Sequence, residues 1–342
     1  MTFAAMSTSG EDPDLYIHHQ FTVDAGQEPV RIDRYLTARL SNISRARIQT
    51  AANAEAILVN GSPVKSNYKV KPGDTIAIVL DHPPNPLELK PENIPLDIVY
   101  EDDHLVVVNK PAGLVVHPGV GNWTGTLVNG LVYHFGQLPK HDEADIRPGL
   151  PHRLDKDTSG LMVIAKDPFT LTHLSKQFFH RTIKRSYAAL VWGDFDEDEG
   201  IITGNIGRDP RHRQMMCVFP EGDHGRLAET HYSVMERFHY VTSVECRLKT
   251  GRMHQIRVHM KHIGHPVFND ELYGGNRIVS GTVHTKYRQF VDNCFKLMPR
   301  QALHAKSLGF IHPHTEQEVV LEAGLPSEFE ELLEKWRGYS RV

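Results

Sequence analysis

The sequence is poor in cysteine and has no long hydrophobic run. Its three cysteines, Cys217, Cys246 and Cys294, are an odd number and lie far apart, which excludes a disulfide framework and a C-x-x-C metal knuckle. No stretch approaches the roughly 18 apolar residues of a membrane span, and the N-terminal segment lacks the basic and apolar regions of a signal peptide. We therefore expect a protein of a reducing compartment, located in the cytoplasm.

Signatures of common cofactors are also missing. The sequence contains no G-x-x-x-x-G-K-[ST] run, no dinucleotide-binding fingerprint and no H-E-x-x-H pair. Histidine is abundant, with 22 residues, and the spacing of His254, His259, His262 and His265 invites a metal interpretation. No carboxylate or cysteine stands at ligand spacing in that segment, however, and structural zinc needs a closed set of four ligands. We expect neither a cofactor nor a metal.

Charge is distributed unevenly along the chain. The net charge of −4 does not by itself suggest a nucleic-acid partner, but an average conceals local patches. Residues 31–80 contain eight Lys and Arg residues and three acids, which leaves a local charge of +5. The local charge of this segment therefore has the opposite sign to the net charge of the chain.

The length of 342 residues predicts two domains, because single domains usually hold roughly 100–200 residues. Residues 1–20 are polar and without an apolar period, which indicates a disordered tail. Residues 21–81 form a small first domain. Residues 82–95 carry five prolines and are interpreted as a semi-rigid linker. Residues 96–342 form the second domain.

Local patterns predict the elements of both domains. In the first, Ile32, Leu36 and Leu40 have helical spacing, and Ser44 is a typical N-cap for a second helix. A small sheet follows, with strands at 57–59 and 76–78 and a turn at Asn60-Gly61. The second domain alternates predicted strands (105–108, 161–165, 187–191 and 244–248) with predicted helices (127–135, 171–178 and from 327). The class is α+β.

Two polar clusters are candidates for chemistry. In HRLDKDTSG, residues 152–160, Asp155 is flanked by Arg153 and Lys156, whose charges would keep a nucleophile or base ionised. The alternative is a solvated loop with local ion pairs. The second cluster lies in Cys246–Pro266, with five Lys or Arg residues and no acid. Its alternation predicts a strand with Gln255, Arg257 and His259 on one face and Ile256 and Val258 on the other; the alternative is a basic surface strand.

Taken together, the two clusters and their neighbours resemble a known family. HRLDKDTSGLMVIAK is preceded by YEDDHLVVVNKPAGLVVHPG and followed by TIKRSYAALVWG, TGRMHQIRVHM and RQALHA. The order and spacing of these motifs resemble the RluA/RluD family of ribosomal RNA pseudouridine synthases. The basic N-terminal segment resembles the S4 RNA-binding module that many members carry. The overall layout is most similar to the RluD branch, which acts on large-subunit ribosomal RNA.

The resemblance implies a role for five residues. Asp155 falls on the family's catalytic aspartate, and Arg257 on the basic residue that pairs with it. Tyr187 matches the tyrosine that stacks against a flipped base. Arg153 matches the arginine that enters the RNA in place of that base, and Ile256 matches the apolar residue of the pocket. The implied fold is a mixed, mostly antiparallel, bent sheet with flanking helices. Met253 and Ser159 depart from common family residues, and neither has an assigned role in the chemistry.

The implied reaction needs no cofactor. Uridine is isomerised to its C-glycoside when the N1–C1′ bond breaks and the base rejoins through C5. The carboxylate acts by attacking C1′, by removing the 2′ proton or by adding to C6, and the sequence does not choose among these routes. RNA is the expected partner, bound in part by the basic residues of the first domain, and we expect a monomer. These residues are Arg31, Arg34, Arg45, Arg47 and Lys65.

Two other functions are alternatives to RNA pseudouridine synthesis. The first is an RNA-binding module without catalysis, but Asp155, Tyr187 and Arg257 are all present. The second is a hydrolytic glycosidase that uses Asp155 and Asp157. Such an enzyme needs a raised pKa on one of its two acids, and the neighbouring Arg153 and Lys156 oppose that.

Overall fold

The computed structural model describes residues 16–40, 43–80, 89–119, 122–140, 147–212, 214–282 and 284–340. These residues divide into two compact units. The first holds residues 16–40 and 43–80, together with Gly119, Asn122 and Trp123, and the second holds the remainder. No helix in the described ranges is long and apolar enough to cross a membrane.

The first unit contains two helices and a small antiparallel sheet. The helices are α1 (Ile32–Arg39) and α2 (Arg45–Asn53). The sheet has the order β1-β4-β2-β3 and consists of β1 (Tyr16–Thr22), β2 (Ile57–Val59), β3 (Ser62–Pro63) and β4 (Thr75–Leu80). The predicted N-cap is confirmed, because the Ser44 hydroxyl accepts a hydrogen bond of 3.3 Å from the backbone N–H of Arg47.

The N-terminal strand differs from the sequence prediction. Residues 16–20 were expected in the disordered tail, and that expectation is wrong for them because they belong to β1. This strand shows little apolar alternation, and its position follows from backbone pairing with β4, from Tyr16 opposite Leu80 to Thr22 opposite Thr75. Residues 1–15 lie outside the described residues.

The segment after the first unit also differs from its prediction. Residues 82–88 of the predicted linker lie outside the described residues, whereas residues 89–95 belong to the second unit. They contain no helix or strand, as their prolines predict, but the Asn129 side chain donates to the Lys90 carbonyl at 2.8 Å. This hydrogen bond ties residues 89–95 to the rest of the second unit.

The second unit is built on a ten-stranded, mostly antiparallel sheet. Its order is β10-β9-β11-β12-β8-β13-β7-β6-β5, with β14 paired to β13. The strands are β5 (Ile98–Glu101), β6 (Leu105–Lys110), β7 (Ser159–Ala165), β8 (Lys184–Trp192), β9 (Glu199–Arg208), β10 (Met216–Phe219), β11 (Arg226–Arg237), β12 (Val241–Leu248), β13 (Leu303–Ile311) and β14 (Glu318–Glu322). The helices are α3 (Leu127–Phe135), α4 (Pro168–His180), α5 (Gln255–His262), α6 (Thr285–Leu297) and α7 (Ser327–Ser340). The predicted α+β class and mixed, mostly antiparallel sheet are confirmed.

The parallel pairing of β13 with β7 needs a glycine. His304 lies opposite Ser159 and Ala305 opposite Gly160. Gly160 has φ 118°, and a Cβ atom there would lie 2.2 Å from the Ala305 carbonyl oxygen. Only glycine permits this close approach. The approach places the loop before β7 beside the start of β13.

The predicted strand at 255–259 is wrong, because these residues form the start of α5. Residues 255–260 are all buried, so their polar and apolar alternation does not mark a solvent face and a core face. The polar side chains instead form hydrogen bonds inside the protein. Gln255 donates to the Glu229 carbonyl at 2.9 Å, and His259 shares a hydrogen bond of 2.9 Å with the Thr230 hydroxyl.

Candidate active site

Asp155 lies in the loop that leads into β7, and a buried lysine holds this loop. Nζ of Lys110 donates to the carbonyls of Pro111, Leu114 and Lys156 at 2.8, 3.0 and 2.9 Å. Burial lowers the pKa of Lys110 to about 7, while the charges of Asp157 and Asp155 act in the opposite direction. Three carbonyl acceptors match the three N–H donors of an ammonium group, so Lys110 fastens the end of β6 to the residue next to Asp155.

A second clamp comes from the RQALHA segment. The guanidinium of Arg300 donates to the Asp157 carbonyl at 3.2 Å and to the Ser159 hydroxyl at 3.3 Å. The Gln301 amide donates to the Thr158 hydroxyl, also at 3.3 Å. The loop that carries Asp155 is therefore fixed on both sides before any substrate arrives, as a preorganised site requires.

Arg257 links Asp155 to a second carboxylate. Its Nη1 donates to Oδ2 of Asp155 at 3.0 Å, while Nε and Nη2 donate to the two oxygens of Asp270 at 2.6 and 2.9 Å. Asp270 is fully buried, and Arg257 is 7% exposed. The bidentate pair with Asp270 fixes the plane of the guanidinium, so that Nη1 faces Asp155.

The same contacts keep Asp155 ionised. Burial alone would raise its pKa, but the charges of His254 and Arg257 and the hydrogen bond from Arg257 lower it by more. Burial also lowers the pKa of His254, so that ring is uncharged at neutral pH. We therefore attribute the lowered pKa of Asp155 to Arg257. The Asp155 side chain retains 22% of its surface and remains open to a ligand.

A histidine and a tyrosine complete the polar surroundings of Asp155. His254 Nε2 lies 3.9 Å from Oδ1 of Asp155, and its Nδ1 shares a hydrogen bond of 2.8 Å with the Tyr273 hydroxyl. The Tyr273 ring also lies beneath the Arg257 guanidinium, 5.0 Å from its centroid. His254 has a left-handed backbone, with φ 53°, at the start of α5, which turns its ring toward Asp155.

Apolar residues form the floor beside these charges. Tyr187 and Ile256 are 7% and 3% exposed and belong to one buried cluster with Leu154, the neighbour of Asp155. Tyr187 stands on β8 between Cys246 of β12 and Ala305 of β13. Burial raises the pKa of the Tyr187 hydroxyl, with a further contribution from the Asp155 charge.

The remaining candidates occupy different environments. Arg153 is exposed, two residues before Asp155. In the first unit, Arg31 and Arg45 each donate to the buried Asp33 at 2.9 Å, although 41% and 44% of their side chains stay exposed. The other three predicted RNA-binding residues are exposed. They are Arg34, Arg47 and Lys65.

The four histidines considered for a metal do not come together. In the described part of the chain they form no group of three or more ligand atoms. His259 contacts Thr230, and Nδ1 of His265 lies 2.8 Å from the Trp192 carbonyl. Their spacing along the sequence reflects a buried helix and the turn after it.

Several residues at the site have no role in the sequence interpretation. Lys110 and Arg300 bind the loop of Asp155 directly. Asp270 and Tyr273 bind Arg257 and His254, the neighbours of Asp155. One signal existed for Lys110, a charged residue that ends an apolar strand. The short polar segment around Asp270 carries no periodicity that would have singled it out.

Comparison with known proteins gives consistent matches. A family model described as RNA pseudouridylate synthase matches residues 104–262, and an S4 domain model matches residues 30–76. An uncharacterized RNA pseudouridine synthase of Chlorobaculum parvum is 47% identical over 91% of this chain and 95% of its own length. A protein of Nitrosomonas europaea named ribosomal large subunit pseudouridine synthase D is 41% identical over 93% of this chain and 88% of its own.

Solved structures also resemble the chain. Human RNA pseudouridylate synthase domain containing 1 is 26% identical, with a TM-score of 0.50 over 72% of this chain and 96% of its own. Human RNA pseudouridylate synthase domain containing 4 is 25% identical, with a TM-score of 0.51 over 70% of this chain and 92% of its own.

Proposed function

The chain belongs to the RNA pseudouridine synthase family and is an RNA isomerase with an S4 domain, and we propose that it acts on uridines of large-subunit ribosomal RNA through Asp155. The observation that carries this assignment is the 3.0 Å hydrogen bond from Arg257 to Asp155 at the edge of a buried apolar floor. The reaction breaks the N1–C1′ bond and joins C1′ to C5 of the same base, while C5 loses its proton and N1 gains one, so no oxidant, reductant or group donor enters.

Asp155 supplies the charge that the reaction needs. An ionised carboxylate serves each of the three routes, whether it attacks C1′, removes the 2′ proton or adds to C6 of the base. Arg257 compensates that charge when RNA covers the pocket and excludes water. Because Asp270 holds Arg257 by two hydrogen bonds, the cation keeps its position while Asp155 changes its bonding.

The target uridine must leave its stack to reach Asp155. Tyr187 lies in the floor close enough for the Asp155 charge to affect its pKa, and its ring offers a face for the flipped base. Arg153 stands exposed next to the pocket and would occupy the space that the base leaves. Stacking on the tyrosine and contacts of the arginine offset part of the lost base stacking.

The S4 unit would bind RNA through its backbone phosphates. Arg34, Arg47 and Lys65 are exposed, and Arg31 and Arg45 keep nearly half of their side-chain surface while they bind Asp33. The choice of large-subunit RNA follows the name of the Nitrosomonas relative. With this substrate we propose a cytoplasmic enzyme that acts as a monomer.

The RNA target is tested by mapping pseudouridines in ribosomal RNA from cells with and without the gene. We expect one or more large-subunit positions to lose the modification and to regain it when the wild-type gene is returned. Unchanged large-subunit RNA, with loss of pseudouridine from transfer RNA, would contradict the proposed substrate but not the reaction.

A further inference from the structure

Three potential metal ligands meet at one edge of the large sheet. Strands β7 and β13 are parallel and β6 is antiparallel to β7, so the ends of β7 and β13 and the start of β6 lie at the same edge. His104 precedes β6, Asp167 follows β7, and His314 lies in the turn between β13 and β14. Asp155 precedes β7 and is therefore at the opposite edge.

The ligand atoms of these residues are close together. Nδ1 of His104 and Nε2 of His314 lie 3.2 and 3.5 Å from the same Oδ2 atom of Asp167, and one atom of each residue lies within 4.8 Å of the others. Zinc binds such nitrogen and oxygen atoms at about 2.0–2.2 Å, which separates ligands of a tetrahedral ion by roughly 3.3 Å. We propose that His104, Asp167 and His314 bind a divalent cation of the zinc class.

A pair formed by the buried His312 and the part-buried Asp102 holds the two histidine-bearing turns. Nε2 of His312 lies 2.8 Å from Oδ2 of Asp102. The other oxygen of Asp102 accepts from the backbone N–H of His104 at 2.7 Å, and Nδ1 of His312 accepts from the backbone N–H of His314 at 3.2 Å. The two ligand histidines are thus connected by a chain of hydrogen bonds behind the site, and such outer contacts commonly orient metal ligands.

The third ligand is fixed by a helix cap. Asp167 is the N-cap of α4, where Oδ1 accepts from the backbone N–H of Thr170 at 2.8 Å and Oδ2 accepts from its hydroxyl at 2.6 Å. These bonds orient the carboxylate toward both histidines. They also provide a conservative variant, because asparagine serves as an N-cap about as well as aspartate but lacks the charge.

One ring must turn for the ion to bind. The His104 and His314 rings are stacked, with centroids 3.5 Å apart and planes inclined by 14°. An ion that lies in the plane of one ring is out of the plane of the other. His314 is exposed, so its ring is able to rotate about its side-chain bonds while its backbone stays held by His312.

The site would stabilise the fold and take no part in the isomerisation. Three protein ligands leave a fourth position for water. β7 has seven residues and separates this edge from the Asp155 loop by roughly 23 Å at about 3.3 Å per residue. The ion would join the start of β6, the start of α4 and the turn between β13 and β14.

Zinc binding to the metal-free protein, measured by calorimetry, tests the proposal. We expect the wild type to bind one equivalent of zinc and expect His104→Ala and His314→Ala to lose this binding. Asp167→Asn should bind zinc at least tenfold more weakly. His224→Ala, which removes an exposed histidine elsewhere, should bind like the wild type. At a zinc concentration about 100 times the dissociation constant, the Tm of the wild type should rise by several degrees, with no such rise in His104→Ala.

Cobalt gives a second measurement on the same proteins. Bound Co²⁺ should give visible absorption bands typical of a low-symmetry coordination site. His314→Ala should lack these bands. Equal zinc stoichiometry in His104→Ala, His314→Ala and His224→Ala would overturn the proposal, as would the absence of saturable binding in the wild type. Metal-free circular dichroism and Tm identify a variant that fails to fold, in which case the Asp167→Asn result decides.

Discussion

Replacing Arg257 with methionine tests the electrostatic account of the site. The substitution removes one hydrogen bond to Asp155 and two to the fully buried Asp270. Removal of one partner from a buried ion pair typically costs about 3–5 kcal/mol, because the other charge stays buried without compensation. We expect a loss of stability of this size at pH 7 for Arg257→Met, measured by urea unfolding, and less than about 0.5 kcal/mol for the exposed control Lys249→Met.

The pH dependence gives the sign of the effect. In the wild type the pKa of Asp155 is lowered, so its contribution to stability is present at neutral pH and is lost as the pH falls through that pKa. Without Arg257 we expect burial to outweigh the remaining charge of Arg153 and to raise the pKa of Asp155. The variant should then recover stability as the pH falls below neutral. The double variant with Arg257→Met and Asp270→Asn should recover part of the lost stability at pH 7. Equal stability of Arg257→Met and wild type between pH 5 and pH 8 would refute the reasoning.

Two further predictions concern RNA binding and the expected absence of a catalytic metal. Replacing Arg34, Arg47 and Lys65 together with glutamine should weaken RNA binding and reduce its salt dependence, since each neutralised phosphate contributes a slope of about −0.9 on duplex or −0.7 on single strands; an unchanged slope in filter binding would show that these residues do not touch RNA. Pseudouridine formation should persist in excess EDTA when magnesium needed to fold the RNA is restored, and a requirement for zinc would contradict this.

Local sequence patterns predicted the elements that depend on neighbouring residues. The cap at Ser44 and the apolar runs of β6, β7 and β8 act within a few positions of the chain, and all appear in the structure. The motif HRLD also singles out Asp155, because a cluster of charged residues directly precedes a buried strand.

Local sequence patterns do not predict the contacts between distant segments of the chain. Asp270 meets Arg257 only because a turn after α5 brings it back, and Gly275 permits that turn, since a Cβ atom there would lie 1.8 Å from the Val267 carbonyl oxygen. The sequence of α5 predicts a strand because its buried polar residues alternate with apolar ones. Alternation indicates a strand only where one face is exposed to solvent.

The most direct measurement of the central claim compares Asp155→Asn with Asp157→Asn on unmodified large-subunit RNA. Both variants remove one charge from the same loop, but the Asp155 carboxylate accepts from Arg257, whereas the Asp157 backbone carbonyl accepts from Arg300. We expect Asp155→Asn to bind RNA within about twofold of the wild type and to form no detectable pseudouridine, while Asp157→Asn retains most activity. Wild-type turnover in Asp155→Asn, or loss of activity in Asp157→Asn with folding and RNA binding intact, would contradict the assignment of Asp155.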